Sequence, residues 1–280
     1  MLTNKLKNQL HLHFIVFVWG FTAILGALIH IDAIPLVWYR VFLAALTLFF
    51  YFIIKGISLK VDFAAVLRFL LGGILIALHW VTFFYAIKIS TVSTTLITMS
   101  SSAIFVAILE PLLSKKKFKI YELLLASIAI IGFVIIFKVE HIYAKGMIYA
   151  LISSVLLAFF TIFNSKNIEK YKAIHIAFYE LLTAFLFLSI VIFFLTDISV
   201  DQLKLMGNDW FYLIILASVC TAYPFVVATQ LLQKMGTFTI VLTNNLEPVY
   251  GIILAVIIFG NKELMSPAFY FGAVLIFLSV

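Results

Sequence analysis

Four ionisable residues lie inside long apolar stretches of this sequence: Arg40, His79, Glu180 and Glu247. Glu247 follows Asn244 by three positions, which puts both side chains on one face of a helix, and a carboxylate so placed can exchange a proton or hold a cation. Pro248 removes a backbone donor and loosens the helix there, freeing carbonyls to face a cavity. The competing reading is that Glu247 is neutral or hydrogen-bonded and only ties helices together. His79 can pass a proton near physiological pH, or serve as a hydrogen-bonded helix contact. Arg40 keeps its charge and can attract an anionic group, or reach out to a nearby polar interface. Glu180 is about as close to the opposite interface and can likewise reach it, so Arg40 and Glu180 are expected to lie too far apart to pair.

A second group offers hydroxyls and rings. Thr91, Thr95, Thr98 and Ser102 recur at spacings that place four hydroxyls on one helical face. Thr239, Thr243 and Asn244 repeat the pattern later. These groups either line a shared polar cavity or bond to their own backbone and to neighbouring helices. Trp80, Tyr85 and Tyr223 supply an aromatic wall or ordinary packing, and Pro224, like Pro248, marks a helix break. No Gly-rich phosphate loop, metal-spaced His pair or nucleophile elbow occurs. Cys220 is the single cysteine, which excludes a disulfide framework and a cysteine-ligated metal site. No cofactor and no metal are expected.

The elements that carry these residues follow from composition. Apolar and aromatic residues make up 65% of the 280 positions and charged ones only 11%, against about a quarter charged in an average soluble domain. That surface cannot be covered for water, so the solvent must be lipid. The formal charge of +7 is spread over short clusters between apolar runs and forms no nucleic-acid footprint. A crossing helix needs about 20 apolar residues, and polar breaks delimit ten such segments: 12–30, 33–54, 64–87, 91–113, 120–138, 146–164, 174–196, 209–232, 236–259 and 266–280. The runs are too long and too unbroken for barrel strands. The first run has no cleavage site and reads as a membrane helix, not a signal peptide. The last is short, so either it is tilted or the chain continues past Val280.

With the N-terminus inside, thirteen Lys and Arg residues fall in inner segments, among them Lys115, Lys116, Lys117 and Lys119, and five in outer loops. Both termini are therefore expected to be cytoplasmic, in a plasma membrane that would be the inner membrane of a bacterium. Small-residue faces such as Gly72, Gly73 and Ala77 suit close helix packing, and such faces permit a homodimer without demanding one.

Shifting the third and fourth spans by 145 positions lays them on the eighth and ninth without a gap, so that Ala77 meets Ala222, Thr94 meets Thr239 and Thr98 meets Thr243. An odd number of spans per half inserts the second half upside down, an architecture whose site lies between the halves near the midplane. The expected fold is an all-α integral membrane protein of ten helices in two inverted five-helix repeats, 1–142 and 143–280.

Leu246-Glu247-Pro248-Val249-Tyr250, continuing to Phe259-Gly260-Asn261-Lys262-Glu263-Leu264, resembles the leucine-glutamate-proline helix and glycine-x-x-glutamate turn of the EamA-type transporters in the drug/metabolite transporter superfamily. Trp19-Gly20, Tyr39-Arg40 and Gly272-Ala273-Val274-Leu275-Ile276 support the resemblance, which covers both halves. The first copy departs from it, with Ala103 where a proline is expected and lysines where the acidic residue stood. The resemblance implies a secondary transporter that exports small organic solutes such as amino acids, metabolites or drugs by alternating access. Its path would include Trp19, Arg40, His79, Trp80, Thr91, Thr95, Thr98, Ser102, Tyr223, Thr243, Asn244 and Glu247, with a proton coupled through Glu247 or His79. The alternative is a membrane-embedded enzyme acting on a lipid or isoprenoid, using intramembrane Glu, His and Asn for acid-base work.

Overall fold

A computed structural model describes residues 4–114, 117 and 120–278. The lysines at 115, 116 and 119, on which part of the expected orientation rests, lie outside the described residues. Among those described, the chain is helical throughout and has no strand. The first three spans are single helices, α1 (Asn4–Leu28), α2 (Ala33–Lys55) and α3 (Phe63–Ile89). The fourth is two helices, α4 (Val92–Met99) and α5 (Ser102–Ser114), and the fifth is α6 (Ile120–Val139). The second half runs through α7 (Ala144–Asn167) and α8 (Ala173–Ile190), which widens into a π-helical turn at Val191–Leu195. The eighth span is α9 (Asp209–Ala217), a π segment (Ser218–Ala222) and α10 (Tyr223–Met235). The ninth is α11 (Thr237–Asn244) and α12 (Glu247–Phe259), and the tenth is α13 (Pro267–Leu278).

Among the described residues, eight segments are long and apolar enough to cross a membrane, and the fifth and tenth spans add the shorter apolar stretches Ser127–Val139 and Pro267–Leu278. The ten expected segments are all helical. The largest boundary difference is at the start, where α1 begins at Asn4, eight residues before the apolar run, because a helix does not stop where hydropathy does.

The fourth span is expected to be continuous and the ninth to loosen at Pro248, and both are broken. The breaks obey the repeat. Shifted by 145, α4 falls on α11 and α5 on α12, end for end, so the gap at Ser100 and Ser101 matches the gap at Asn245 and Leu246. Pro248 sits within the first turn of α12, where its missing N–H costs nothing, and the first-half break forms with no proline at all. The eighth span widens just before Pro224, where the Tyr223 N–H reaches back to the Ser218 carbonyl and the Thr221 hydroxyl donates to the Leu216 carbonyl at 2.6 Å.

The halves exchange partners in a swapped pattern. Helix α1 packs on α12 and α10, and its counterpart α7 packs on α4, α5 and α3. Helix α2 lies against α8, and α6 against α13. Crossings are close where glycine allows it. A Cβ on Gly73 would come within 2.5 Å of the Glu180 carbonyl oxygen, so α3 and α8 touch backbone to backbone there.

The ends of the bundle are tied in the same swapped way. The Tyr39 hydroxyl donates to the Leu203 carbonyl at 3.0 Å, and the Tyr179 hydroxyl donates to the Leu59 carbonyl at 2.6 Å. Glu263, in the turn after α12, accepts from the Val92 and Ser93 amides at 2.9 and 2.8 Å. It caps α4, placing negative charge at the positive end of a helix. This assigns a structural task to the acidic residue of the glycine-x-x-glutamate turn.

Candidate functional site

Between the halves lies a cavity of about 110 Å3, with walls from α1, α2, α3, α4, α7, the π segment at Ser218–Ala222, α10, α11 and α12. Six of the candidate residues meet in it: Trp19, Arg40, His79, Trp80, Asn244 and Glu247. They come from four spans, the first three and the ninth, which only the folded bundle brings together.

Arg40 does not reach for the interface. Its side chain is buried, its Nε donates to the Thr221 hydroxyl at 2.7 Å, and its guanidinium lies over the Trp80 ring at 4.1 Å from the centroid, with the Phe84 ring at 5.4 Å. A guanidinium stacks on aromatic faces more readily than an ammonium does. The Nη1 atom is buried without a hydrogen-bond partner, an expensive arrangement that a bound acceptor would relieve.

Glu247 opens α12 at the helix break, so its carboxylate lines the cavity beside the positive end of that half-helix. Arg40 lines the same cavity, yet among the described residues no ion pair joins the two. The Asn244 Oδ1 and Thr22 Oγ1 atoms on the walls are buried and unpartnered. Thr161 and Thr229 donate to carbonyls of their own helices at 2.7 and 2.8 Å, which leaves their oxygens free to accept.

His79 is committed to α7. Its Nδ1 lies 2.8 Å from the Ser153 hydroxyl and 3.0 Å from the Ser153 carbonyl, and that hydroxyl donates to the His79 carbonyl at 2.8 Å. The ring still borders the cavity, but the helix-contact reading accounts for Nδ1.

The other candidates lie elsewhere. Thr91 caps α4 through the Thr94 amide, Thr95 meets the Ser90 hydroxyl at 3.2 Å, and Thr98 donates to the Thr94 carbonyl. Thr243 donates to the Thr239 carbonyl. The hydroxyl face is therefore spent on the helices themselves, since α4 ends after two turns and needs its own caps. Ser102 and Pro248 border a smaller space of about 20 Å3 shared with Glu247. Tyr223 points outward, its hydroxyl 2.6 Å from the His11 Nε2 and its ring against Phe14, because the π segment rotates it off the cavity face. Pro224 is buried at the start of α10 and does not line the cavity. Tyr85 packs on Tyr149.

The sequence reading missed Thr22, Thr161, Thr221 and Thr229, and the aromatic walls Phe83, Phe160 and Phe225. Phe225 was within reach, since the 145-residue shift lays it on Trp80. Single threonines among apolar residues carried no signal.

A family model described as the EamA-like transporter family matches residues 10–138 and again 144–280. No curated protein matches the chain. Among solved structures, one described as a crystal structure of a protein shares 14% identity, covers 98% of this chain and 95% of its own, and superposes with a TM-score of 0.72. That likeness bears on the fold alone.

Proposed function

The chain belongs to the EamA-like transporter family, and we propose that it is a secondary carrier that exports small organic solutes by alternating access around the central cavity. The observation that carries this reading is the pairing of Arg40 and Glu247 on the walls of one cavity between the halves, with no ion pair to cancel them. Fixed opposite charges suit a solute that bears both signs. A carboxylate would meet the unpartnered Nη1 of Arg40 and an ammonium would meet Glu247, while Trp19, Trp80, Phe160 and Phe225 would enclose an apolar body. Inverted repeats support the movement, because two similar halves can exchange roles as the site faces one side and then the other. A proton taken up by Glu247 when the solute leaves would couple the two fluxes.

The test is solute flux into proteoliposomes holding the purified chain, with neutral amino acids, organic cations and organic anions offered in turn, each with and without a pH gradient. Saturable flux of the zwitterions, weaker for molecules lacking either charge, is the expected result. Flux restricted to solutes of one sign would overturn the zwitterion reading. Chemical conversion of a lipid or isoprenoid with no flux would replace the carrier with an enzyme.

A further inference from the structure

Glu180 is fully buried yet lies outside the cavity, on α8 where that helix crosses α3 and α7. Its Oε2 accepts from the Asn164 Nδ2 at 2.9 Å, and Asn164 in turn accepts through Oδ1 from the Asn167 Nδ2 at 3.1 Å. Both asparagines are buried on α7. Within this Glu180–Asn164–Asn167 series, Oε1 of Glu180 and Oδ1 of Asn167 have no partner. The carboxyl lies against α3, where a Cβ added to Gly72 would overlap Oε1. Glycine at this position leaves space for the carboxyl, which a side chain there would displace.

Among the described residues, no compensating charge is at hand. From α3 the packed groups are Gly72 and Gly73, and Arg68 one turn earlier forms no ion pair with Glu180. From α7 they are the two uncharged asparagines, while the Lys166 Nζ is engaged with the Leu113 carbonyl. From α2 the facing surface is aromatic, Phe49 and Phe52 against Phe178. On α10, Lys234 is exposed and Tyr223 is turned to His11. On α8 itself, Tyr179 and His175 are engaged with the Leu59 and Ser58 carbonyls. An ionised carboxylate in such a place keeps a single amide bond in return for its lost hydration, whereas a protonated one is neutral and gains a donor.

We propose that Glu180 is a proton-binding site separate from the solute cavity, loaded when this end of the bundle is closed and emptied when it opens. The closure is visible around it: Tyr179 and His175 bind the 56–62 loop at 2.6 and 2.9 Å, sealing the end of α8 next to the carboxyl. Opening that seal parts α8 from the loop, admits water to Glu180 and lets the proton leave. Because only the closed form holds the proton, lowering the pH favours closure and raising it favours opening. The repeat gives the site its opposite number. A shift of 140 positions carries α2 onto α8 and Tyr39-Arg40 onto Tyr179-Glu180. One half thus places a permanent cation at this position, and the other a group whose charge depends on proton occupancy.

The experiment follows this end of the bundle directly and needs no solute. Spin labels are placed on Lys60→Cys and Lys170→Cys, both exposed, in the full chain reconstituted in liposomes; Cys220 is buried. The distance between them is measured across pH in the parent and in Glu180→Gln. The parent is expected to shift to its shorter population as pH falls, and the Gln variant to stay in that population throughout. A parent indifferent to pH, or a Gln variant that keeps the parent's shift, overturns the proposal. Should Glu180→Gln fail to fold, infrared titration of Glu247→Gln decides. A protonated-carboxyl band that disappears as pH rises supports the site, and its absence at every pH overturns it. The coupling of this proton to transport rests on the carrier reading, but neither readout requires flux, so the two can fail separately.

Discussion

Tyr39 and Tyr179 stand at equivalent positions of the two halves and make the same contact at opposite ends of the bundle. Each phenol donates to a loop carbonyl of the other half, Tyr39 to Leu203 at 3.0 Å and Tyr179 to Leu59 at 2.6 Å. Both ends are therefore held by the same device, and loosening one without the other should tilt the balance between outward-facing and inward-facing forms.

Removing one hydroxyl deletes one hydrogen bond, worth about 1 kcal/mol net, or roughly a fivefold change in a two-state equilibrium. Tyr39→Phe is expected to raise thiol labelling of a cysteine placed near Leu203, and Tyr179→Phe that of a cysteine placed near Leu59. The measurement is labelling rate in intact liposomes. Equal effects of both variants at both ends would contradict the assignment.

Glu263 caps α4 by accepting from two amides of its first turn. Glu263→Ala leaves both buried amides without a partner and is expected to cost about 2 kcal/mol or more, while Glu263→Gln keeps one acceptor and costs roughly half as much. Unfolding of the purified chain in detergent gives both values. The solute cavity does not include Glu263, so flux per folded molecule should change little.

The α6–α13 crossing depends on absent side chains. A Cβ on Gly132 would meet the Gly272 carbonyl oxygen at 2.5 Å, and one on Gly272 would meet the Gly132 carbonyl oxygen at 2.8 Å. Backbone cannot yield as a side-chain tip can, so Gly132→Ala is expected to destabilise by about 1–3 kcal/mol. Truncating Ile131 to alanine on the exposed side of the same helix should cost less, and the same unfolding measurement compares the two.

How much of this was legible in the sequence differs between fold and site. The helices were legible because apolar runs of membrane length have one solution in lipid, and the inverted pairing followed from the 145-residue shift. The break at Ser100–Ser101 was not legible, and the one at Asn245–Leu246 was so only in part. Pro248 drew attention to one of them, but a residue that starts a half-helix leaves the same trace as one that kinks a whole helix. At the site, Arg40 and Glu247 stood out because charge is rare in lipid, and both face the cavity. The threonines of α4 were misleading, since hydroxyls spaced to share a helix face serve a cavity or a cap equally well. Tyr223 was lost to the π segment, which rotates everything after Ser218 in a way that a regular helical period cannot anticipate.

Arg40 is held by its Nε bond to Thr221 and by the Trp80 face. Lysine keeps the charge but loses the planar stack and the fixed donor. A desolvated contact of this type is worth about 2 kcal/mol, so Arg40→Lys is expected to raise the KM for a zwitterionic solute roughly 30-fold. The KM for an analogue whose carboxylate is replaced by an amide should move much less. Flux kinetics with the two solutes check this, and equal changes for both would remove Arg40 from carboxylate recognition.

The central claim is that the solute crosses through the cavity between Arg40 and Glu247. The most direct test is counterflow of a labelled neutral amino acid in proteoliposomes, comparing the parent chain with Ala228→Trp, which adds bulk to the cavity from α10 while both charged residues are kept. The account predicts saturable counterflow in the parent and its loss in the folded Trp variant. Undiminished counterflow through a filled cavity would contradict it.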